Sequence, residues 1–112
     1  MKRYCFALDL VDDPQLIAEY DHWHQTENVW PAITHSIRDA GILQLEIYRT
    51  GNRLFMIMDT DDTFSFERKA GLDADNEEVQ QWEQLMWKYQ SALPWAKKGE
   101  KWVLMDKIYS LS

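Results

Sequence analysis

The chain has 112 residues, which is enough for one domain spanning residues 1–112 and too few for two. Its net charge of −7, with both signs interspersed along the chain, argues against nucleic acid or an anionic membrane surface as a partner. The single cysteine, Cys5, excludes an internal disulfide and predicts a reducing, cytoplasmic location, and no apolar run is long enough for a signal peptide or a membrane span.

Hydrophobic periodicity and turn residues divide the chain into helices and strands. Pro14 and Pro31 each stand at the first position of a predicted helix, and Gly51-Asn52 predicts a tight hairpin turn of a primed type. In chain order we expect a strand over 3–11, helices over 14–24 and 31–40, strands over 43–50 and 53–58, an acidic loop over 59–62, a short helix over 63–70 that Gly71 ends, a long helix over 75–92 and a last strand over 102–110.

This order is β-α-β-β-α-β with extra helical turns, which is the split βαβ pattern of ferredoxin-like α+β folds. In that arrangement the helices cover only one face of the sheet. The predicted strands over 53–58 and 102–110 are apolar on both faces, so something else must cover the second face. We therefore expect a two-fold homodimer that packs sheet against sheet.

Tyr20 and His24 are the first candidates for chemistry. They are four residues apart on a predicted helix, so their side chains lie on the same face and can converge on one ligand as an acid/base pair. The alternative is that both belong to the core, with their polar tips satisfied by neighbours. An isolated pair of this kind is more often structural, so the catalytic interpretation needs support from other residues.

Other motifs exclude some kinds of site and leave two interpretations of one residue. His22 and His24 diverge by about 200° on one helix, so they cannot both bind one metal ion. The sequence contains no glycine-rich phosphate loop and no nucleophile elbow.

Trp87 lies about 150° from the centre of the core stripe of its helix. It is therefore either an interface or partly exposed ring, or a ring that stacks on a ligand. The acidic run over 59–62 is expected to be a solvated loop.

Several short segments resemble the L-rhamnose mutarotase family in an order that extends over nearly the whole chain. No single segment is diagnostic, but their order and spacing together are specific. The segments are Arg3-Tyr4-Cys5-Phe6-Ala7-Leu8, Glu19-Tyr20 followed by His24, Trp30-Pro31, Gly41 before Ile47-Tyr48, Leu54-Phe55, and Trp87-Lys88-Tyr89. The resemblance implies a dimeric ferredoxin-like α+β barrel that interconverts the α and β anomers of a monosaccharide without a metal or organic cofactor.

The resemblance also implies roles for particular residues. By position, His24 would be the catalytic proton donor, Tyr20 a catalytic and sugar-binding residue, and Trp87 part of the sugar platform. The family carries a substrate-contacting Tyr where this chain has Leu45, and a Trp pair where it has Met86-Trp87. We expect Leu45 and Met86 to contact the substrate in their place. These departures make L-fucose an alternative to L-rhamnose as the substrate.

Anomer exchange requires a base that takes the proton of the anomeric hydroxyl and an acid that protonates the ring oxygen. We hypothesise that His24 transfers the proton and that Tyr20 orients or assists it, since an imidazole can hold either protonation state near neutrality. The base partner is unassigned, and a water or a carboxylate such as Glu46 is open. Two other classes compete, because one fold serves many functions: a cofactorless monooxygenase of the same barrel type and a non-catalytic ligand-binding module.

Overall fold

The computed structural model describes residues 1–112 as an α+β structure with one sheet. None of its helices is long and apolar enough to cross a membrane. The elements are β1 (Lys2–Leu10), α1 (Pro14–Trp23), α2 (Pro31–Asp39), β2 (Ile42–Thr50), β3 (Arg53–Thr60), α3 (Phe66–Ala74), α4 (Glu77–Trp87), β4 (Gln90–Ser91) and β5 (Val103–Leu104).

The sheet is antiparallel throughout, and β1 lies in its interior. The strand order is β2-β3-β1-β4, with β5 also paired to β1. On one side β1 pairs with β3, from Lys2 opposite Thr60 to Asp9 opposite Arg53. On the other side β1 pairs with β4 and β5. The predicted α+β class is therefore confirmed.

Short polar side chains begin three of the four helices. Asp13 precedes α1, and its carboxylate accepts hydrogen bonds from the backbone N–H groups of Gln15 and Leu16 at 2.9 and 3.1 Å. Ser65 and Asn76 cap α3 and α4 in the same way. These bonds satisfy N–H groups that have no partner inside the helix, so each cap fixes where its helix starts.

Two glycines adopt positive φ angles where the chain reverses. Gly41 has φ 93° after α2, and a Cβ there would lie 2.8 Å from an oxygen of Asp61. Gly51 has φ 55° in the two-residue turn between Thr50 and Arg53, whereas no residue other than glycine has positive φ. Positive φ at the first central position alone is the type II′ turn, so the predicted primed hairpin is confirmed.

The core fills the space between the helices and one face of the sheet. Alternate residues of β1 and β3 supply its floor, and Leu8, Leu10 and Leu54 are each only 1% exposed. One cluster joins these leucines to α1, α2 and α4. A second cluster lies closer to the N-terminal end of β1 and the C-terminal end of β3. The second cluster consists of Phe6, Ala40, Ile42, Met56, Met58 and Phe64.

The structure corrects the predicted acidic loop. Residues 59 and 60 belong to β3, because the ladder with β1 continues to the pair Lys2 and Thr60. Asp59 is 7% exposed, and its carboxylate accepts hydrogen bonds from the guanidinium of Arg3 at 2.8 and 3.1 Å. Only residues 61 and 62 of the predicted loop lie outside the strand.

The predicted helices over 63–70 and 75–92 have the wrong limits. Gly71 does not end the first, since α3 begins after its Ser65 cap and continues to Ala74. The second helix begins later, after Asn76 rather than Asp75, and ends at Trp87. It stops early because Gln90 and Ser91 pair with β1 as β4, which requires an extended backbone.

The predicted last strand is mostly absent. Only Val103 and Leu104 pair with β1, and one further backbone bond runs from the N–H of Met105 to the carbonyl of Cys5 at 2.8 Å. Residues 106–112 are exposed and have no regular structure. Ile108, for example, is 96% exposed. The apolar pattern that indicated a strand therefore has no surface to pack on within one protomer.

The face of the sheet that the helices do not cover, called the outer face here, is apolar at its centre. By the strand registers and side-chain alternation, it carries Cys5 and Ala7 of β1 next to Ile57 and Phe55 of β3, with Tyr48 of β2 beside Phe55. The ion pairs Arg3–Asp59 and Arg53–Asp9 stand at its two ends. A partly exposed apolar centre between charged ends is typical of a surface that another molecule covers.

The floor of the core should dominate stability. We expect Leu8→Ala to lower the free energy of unfolding by about 2 to 5 kcal/mol, because it leaves a cavity at a site enclosed on all sides. Leu43→Ala is the matched control, since Leu43 is 62% exposed, and it should change stability by less than about 0.5 kcal/mol. Urea denaturation followed by circular dichroism measures both, and equal effects would contradict this account of the core.

Candidate active site

A cavity of about 440 Å³ lies between the helices and the covered face of the sheet. Its volume suits a small molecule, and most of its 20 lining residues are hydrophobic. The polar and charged residues in its wall are Tyr20, His24, Ser36, Lys69, Asp73, Glu83, Gln90 and Lys101. Polar groups set into a mainly apolar wall are the usual arrangement of a binding site that must orient its ligand.

Helix α1 brings Tyr20 and His24 together, as their spacing predicts. Their ring centroids are 4.2 Å apart, and the rings are inclined by 31°. His24 caps the C-terminus of α1, and its Nδ1 lies 2.8 Å from the backbone oxygen of Tyr20. Because a carbonyl oxygen can only accept, Nδ1 carries the proton, and Nε2 of the neutral ring is left as an acceptor.

Burial sets the protonation states of this pair. Loss of solvation lowers the pKa of His24 from its ordinary value of 6.5, which the bond to the Tyr20 carbonyl only partly offsets. Burial raises the pKa of Tyr20 to about 12, and the Gln90 side chain opposes that rise. At neutral pH the cavity therefore holds a neutral imidazole that can accept a proton beside a phenol that keeps its own.

Aromatic rings pack against His24. The Trp82 ring meets His24 edge to face at 5.9 Å, and it also contacts Trp23 and Trp30 at 6.3 and 5.1 Å. The indole N–H of Trp23 donates to the hydroxyl of Tyr89 at 3.2 Å, so the end of α1 is tied to the chain that follows α4. Trp82 is buried in the core, and its contact with His24 also fixes the plane of the imidazole.

The substrate-contacting residues that the resemblance implies are divided between two places. Leu45 and Met86 both line the cavity, Leu45 from β2 and Met86 from α4. Trp87 is outside its wall and is 48% exposed, and its ring lies beneath the ammonium of Lys101 at 4.1 Å. The structure does not bring Trp87 next to His24, so its part in binding stays a prediction.

The carboxylate Glu46 does not lie in the cavity. It is exposed on the outer face, where its carboxylate accepts a hydrogen bond from the hydroxyl of Tyr48 at 2.9 Å. The carboxylates that do line the cavity are Glu83 and Asp73, and Asp73 is paired with Lys69. No three His, Cys, Asp or Glu side chains are grouped as a metal site.

The sequence analysis singled out Tyr20, His24, Leu45 and Met86 but not the other residues of the wall, among them Glu83, Gln90, Lys101 and Trp102. Glu83 follows Trp82 on α4, so its place at the edge of the core stripe gave a usable signal. Gln90 gave none, because it falls within a predicted helix that in fact ends before it. Lys101 and Trp102 lie beside the short strand β5, and only the folded chain brings them over the cavity.

Sequence comparisons identify relatives along the whole chain. A family model described as L-rhamnose mutarotase matches residues 3–111. An L-fucose mutarotase of Xanthomonas campestris pv. campestris is 46% identical over 112 residues, which cover 100% of this chain and 90% of that protein. A UPF0734 protein of Dictyostelium discoideum is 35% identical, over 98% of this chain and 90% of its own length.

Solved structures share the fold at low sequence identity. The crystal structure of an L-rhamnose mutarotase from Formosa agariphila superposes with a TM-score of 0.71 at 17% identity, over the full length of both chains. Tetracenomycin F2 cyclase from Streptomyces glaucescens superposes with a TM-score of 0.57 at 16% identity, covering 100% of this chain and 98% of the cyclase. A mutarotase and a cyclase on one architecture show that the fold alone does not decide the reaction.

The lowered pKa of His24 can be measured directly. We expect its ring proton signals in an NMR titration to move with a midpoint below 6.5, because burial disfavours the imidazolium. The His24→Gln variant assigns the signals by removing them. A midpoint at or above 6.5 would contradict the inference that the ring is neutral at pH 7.

Proposed function

The chain belongs to the L-rhamnose mutarotase family, whose members are isomerases that act on sugars, and we propose that its preferred substrate is the deoxyhexose L-fucose. The support is the 46% identity to an L-fucose mutarotase along the whole chain. L-Rhamnose is the second candidate, because the family model that matches residues 3–111 is described by that sugar. The monooxygenase and binding-module alternatives gain nothing from this membership.

The observation that carries the mechanism is the close contact of Tyr20 and His24 in a mainly apolar cavity. A deoxyhexose has a ring of hydroxyls and one methyl group. In this proposal Leu45 and Met86 contact the apolar side of the sugar, including the methyl group. A polar residue at either position would need a sugar hydroxyl there as its hydrogen-bond partner. The anomeric centre then faces the polar end of the cavity at Tyr20 and His24.

Ring opening follows from the two protonation states. Nε2 of the neutral His24 takes the proton of the anomeric hydroxyl as the bond between the anomeric carbon and the ring oxygen breaks, leaving an aldehyde. Tyr20 gives its hydroxyl proton to the departing ring oxygen, which as an alkoxide is a stronger base than a tyrosinate even with a pKa of about 12. Both proton transfers are direct, and no charge remains on the open sugar.

Ring closure reverses these transfers on the other face of the aldehyde. Rotation about the bond next to the aldehyde presents its second face to the hydroxyl that formerly belonged to the ring. That hydroxyl returns its proton to Tyr20 as it attacks, and the imidazolium of His24 donates its proton to the new anomeric oxygen. His24 is thus acceptor in opening and donor in closure, which accommodates the donor role that the family resemblance implies.

We also propose that residues 1–112 act as one mutarotase domain in a cytoplasmic homodimer. The apolar centre of the outer face and the exposed Ile108, Tyr109 and Leu111 both need a surface that one protomer lacks. A second copy supplies both at once, since two outer faces can pack together and each tail can continue along the partner's sheet. The single Cys5, which can form no internal disulfide, is compatible with a reducing compartment.

Removing the imidazole should abolish most of the catalysis. We expect His24→Ala to reduce the rate of anomer exchange by roughly a hundredfold to ten-thousandfold, the usual contribution of a placed acid or base. Exchange NMR on equilibrated L-fucose and L-rhamnose measures the rate and ranks the two sugars. His35→Ala is the matched control, because His35 is exposed on α2 and should leave the rate unchanged.

Two results would contradict this assignment. Undiminished exchange by a folded His24→Ala variant would remove His24 from the mechanism. No acceleration of either sugar by the unaltered protein would instead overturn the choice of substrate, and other aldoses would then be tested.

The proposed dimer predicts a mass twice the 13.4 kDa of one chain in light scattering. Ile57→Lys should shift the protein to the monomer, because it places a long charged side chain at the apolar centre of the outer face, where the two copies would pack. Leu72→Lys is the control, since Leu72 is 43% exposed on α3 and away from that face. A monomeric unaltered protein, or an Ile57→Lys variant that stays dimeric, would contradict the proposal.

A further inference from the structure

Gln90 carries a polar atom that the protein leaves unpaired. Its side-chain Oε1 is buried, and no group of the protein donates a hydrogen bond to it. A buried acceptor without a partner costs roughly 1 to 3 kcal/mol, so such atoms are rare and call for a physical explanation. Gln90 lines the cavity, which makes a bound ligand the natural donor.

The position of Gln90 is fixed by its neighbours in the chain. It is the first residue of β4, at the edge of the sheet, and it pairs there with Leu10 of β1. The preceding residue, Tyr89, is 2% exposed and is held by hydrogen bonds to Trp23 and Glu19. The side chain therefore starts from a rigid point, as a residue that orients a ligand requires.

Gln90 also lies at the catalytic end of the cavity. Its amide is close enough to the hydroxyl of Tyr20 to oppose the rise in the pKa of that group, which an N–H donor does. The amide oxygen of Gln90 is the atom that the protein leaves without a partner. In the proposed mechanism Tyr20 and His24 hold the ring oxygen and the anomeric oxygen. The next hydroxyl at the reacting end of the sugar is the one on carbon 2, and it is the donor that an acceptor at this end of the cavity would meet.

We propose that Gln90 is a specificity-determining residue whose Oε1 accepts a hydrogen bond from the hydroxyl on carbon 2 of the sugar. The inference rests on the proposed function and extends it to the choice of sugar. L-Fucose and L-rhamnose differ in configuration at carbons 2 and 4, and the first of these is the one beside the reacting centre. A fixed acceptor there distinguishes the two configurations, which neither Leu45 nor Met86 can do because they make no hydrogen bonds.

A cycle that removes each partner of the bond tests the proposal. The rates of anomer exchange are measured for the unaltered protein and Gln90→Met, each with L-fucose and 2-deoxy-L-fucose, after subtraction of the uncatalysed rates. We expect Gln90→Met to lower kcat/KM about tenfold to a hundredfold on L-fucose, the equivalent of one buried hydrogen bond. On 2-deoxy-L-fucose, which lacks the hydroxyl, the two proteins should agree within a factor of about three.

Two further variants separate specificity from a structural role. Gln84→Met makes the same change at an exposed position of α4 and should behave as the unaltered protein with both sugars. Gln90→Glu keeps an acceptor oxygen and should retain the preference for L-fucose over its 2-deoxy analogue. If Gln90→Met does not fold, Gln90→Leu replaces it, and circular dichroism checks every variant.

Each possible result of these measurements either supports or contradicts the proposed contact of Gln90. Equal losses on both sugars, or no loss on either, would overturn the proposal. Binding of each sugar, followed by the intrinsic tryptophan fluorescence to which Trp82 and Trp102 of the cavity wall contribute, is measured alongside. If neither sugar exchanges but L-fucose binds more tightly than its analogue only when Gln90 is present, the proposed reaction fails and the Gln90 contact stands. If neither sugar binds, the Gln90 proposal is overturned together with the choice of sugar.

Discussion

The antiparallel ladder between β1 and β3 is the constraint on which the other features depend. It determines which side chains of the two strands face the helices, because successive residues of a strand point to opposite faces. A slip of one residue would turn Leu54 outward and bring charged Arg53 into the core. With the observed register, leucines form a floor on one side and the apolar outer face forms on the other. The helices then pack on the floor and leave a cavity above it.

The chemistry of the site is a consequence of that burial. Removing water disfavours the charged form of any group, and this shifts the pKa of an acid and that of a base in opposite directions. Tyr20 becomes harder to ionise and His24 harder to protonate. In the proposed mechanism, the same apolar wall that receives the sugar therefore gives one residue that can accept a proton and one that can donate it. No charged partner is needed to hold either state.

Local sequence signals identified those parts of the molecule that local interactions determine. Pro14 after the Asp13 cap, and Gly51 in the hairpin, each act through their nearest neighbours, and the structure confirms them. The pair Tyr20 and His24 is found by the same logic, since helix spacing alone brings them together. These predictions need no knowledge of distant contacts.

The sequence-based predictions are wrong where a contact with a residue far away in the chain determines the local structure. Gln90 is extended because β1 offers it a hydrogen-bonding edge, although its sequence continues a helical pattern. Asp59 is a buried strand residue because Arg3, far away in the chain, pairs with it. The pattern over 102–110 predicts a strand, yet only Val103 and Leu104 find one within the protomer. In each case tertiary pairing outweighs local preference, and a single sequence does not contain that information.

If His24 transfers the proton as proposed, its hydrogen bond to the carbonyl of Tyr20 makes the activity depend on a single helical turn. That carbonyl is held in position only while the last turn of α1 is folded. The hydrogen bond to it determines which imidazole nitrogen carries no proton. If the turn frays, the ring gains freedom to rotate and to exchange tautomers while the rest of the domain stays folded. On heating, the enzyme should therefore lose activity at a lower temperature than that at which the whole domain unfolds. Rigidifying this one turn is then the most economical route to an enzyme that works at a higher temperature.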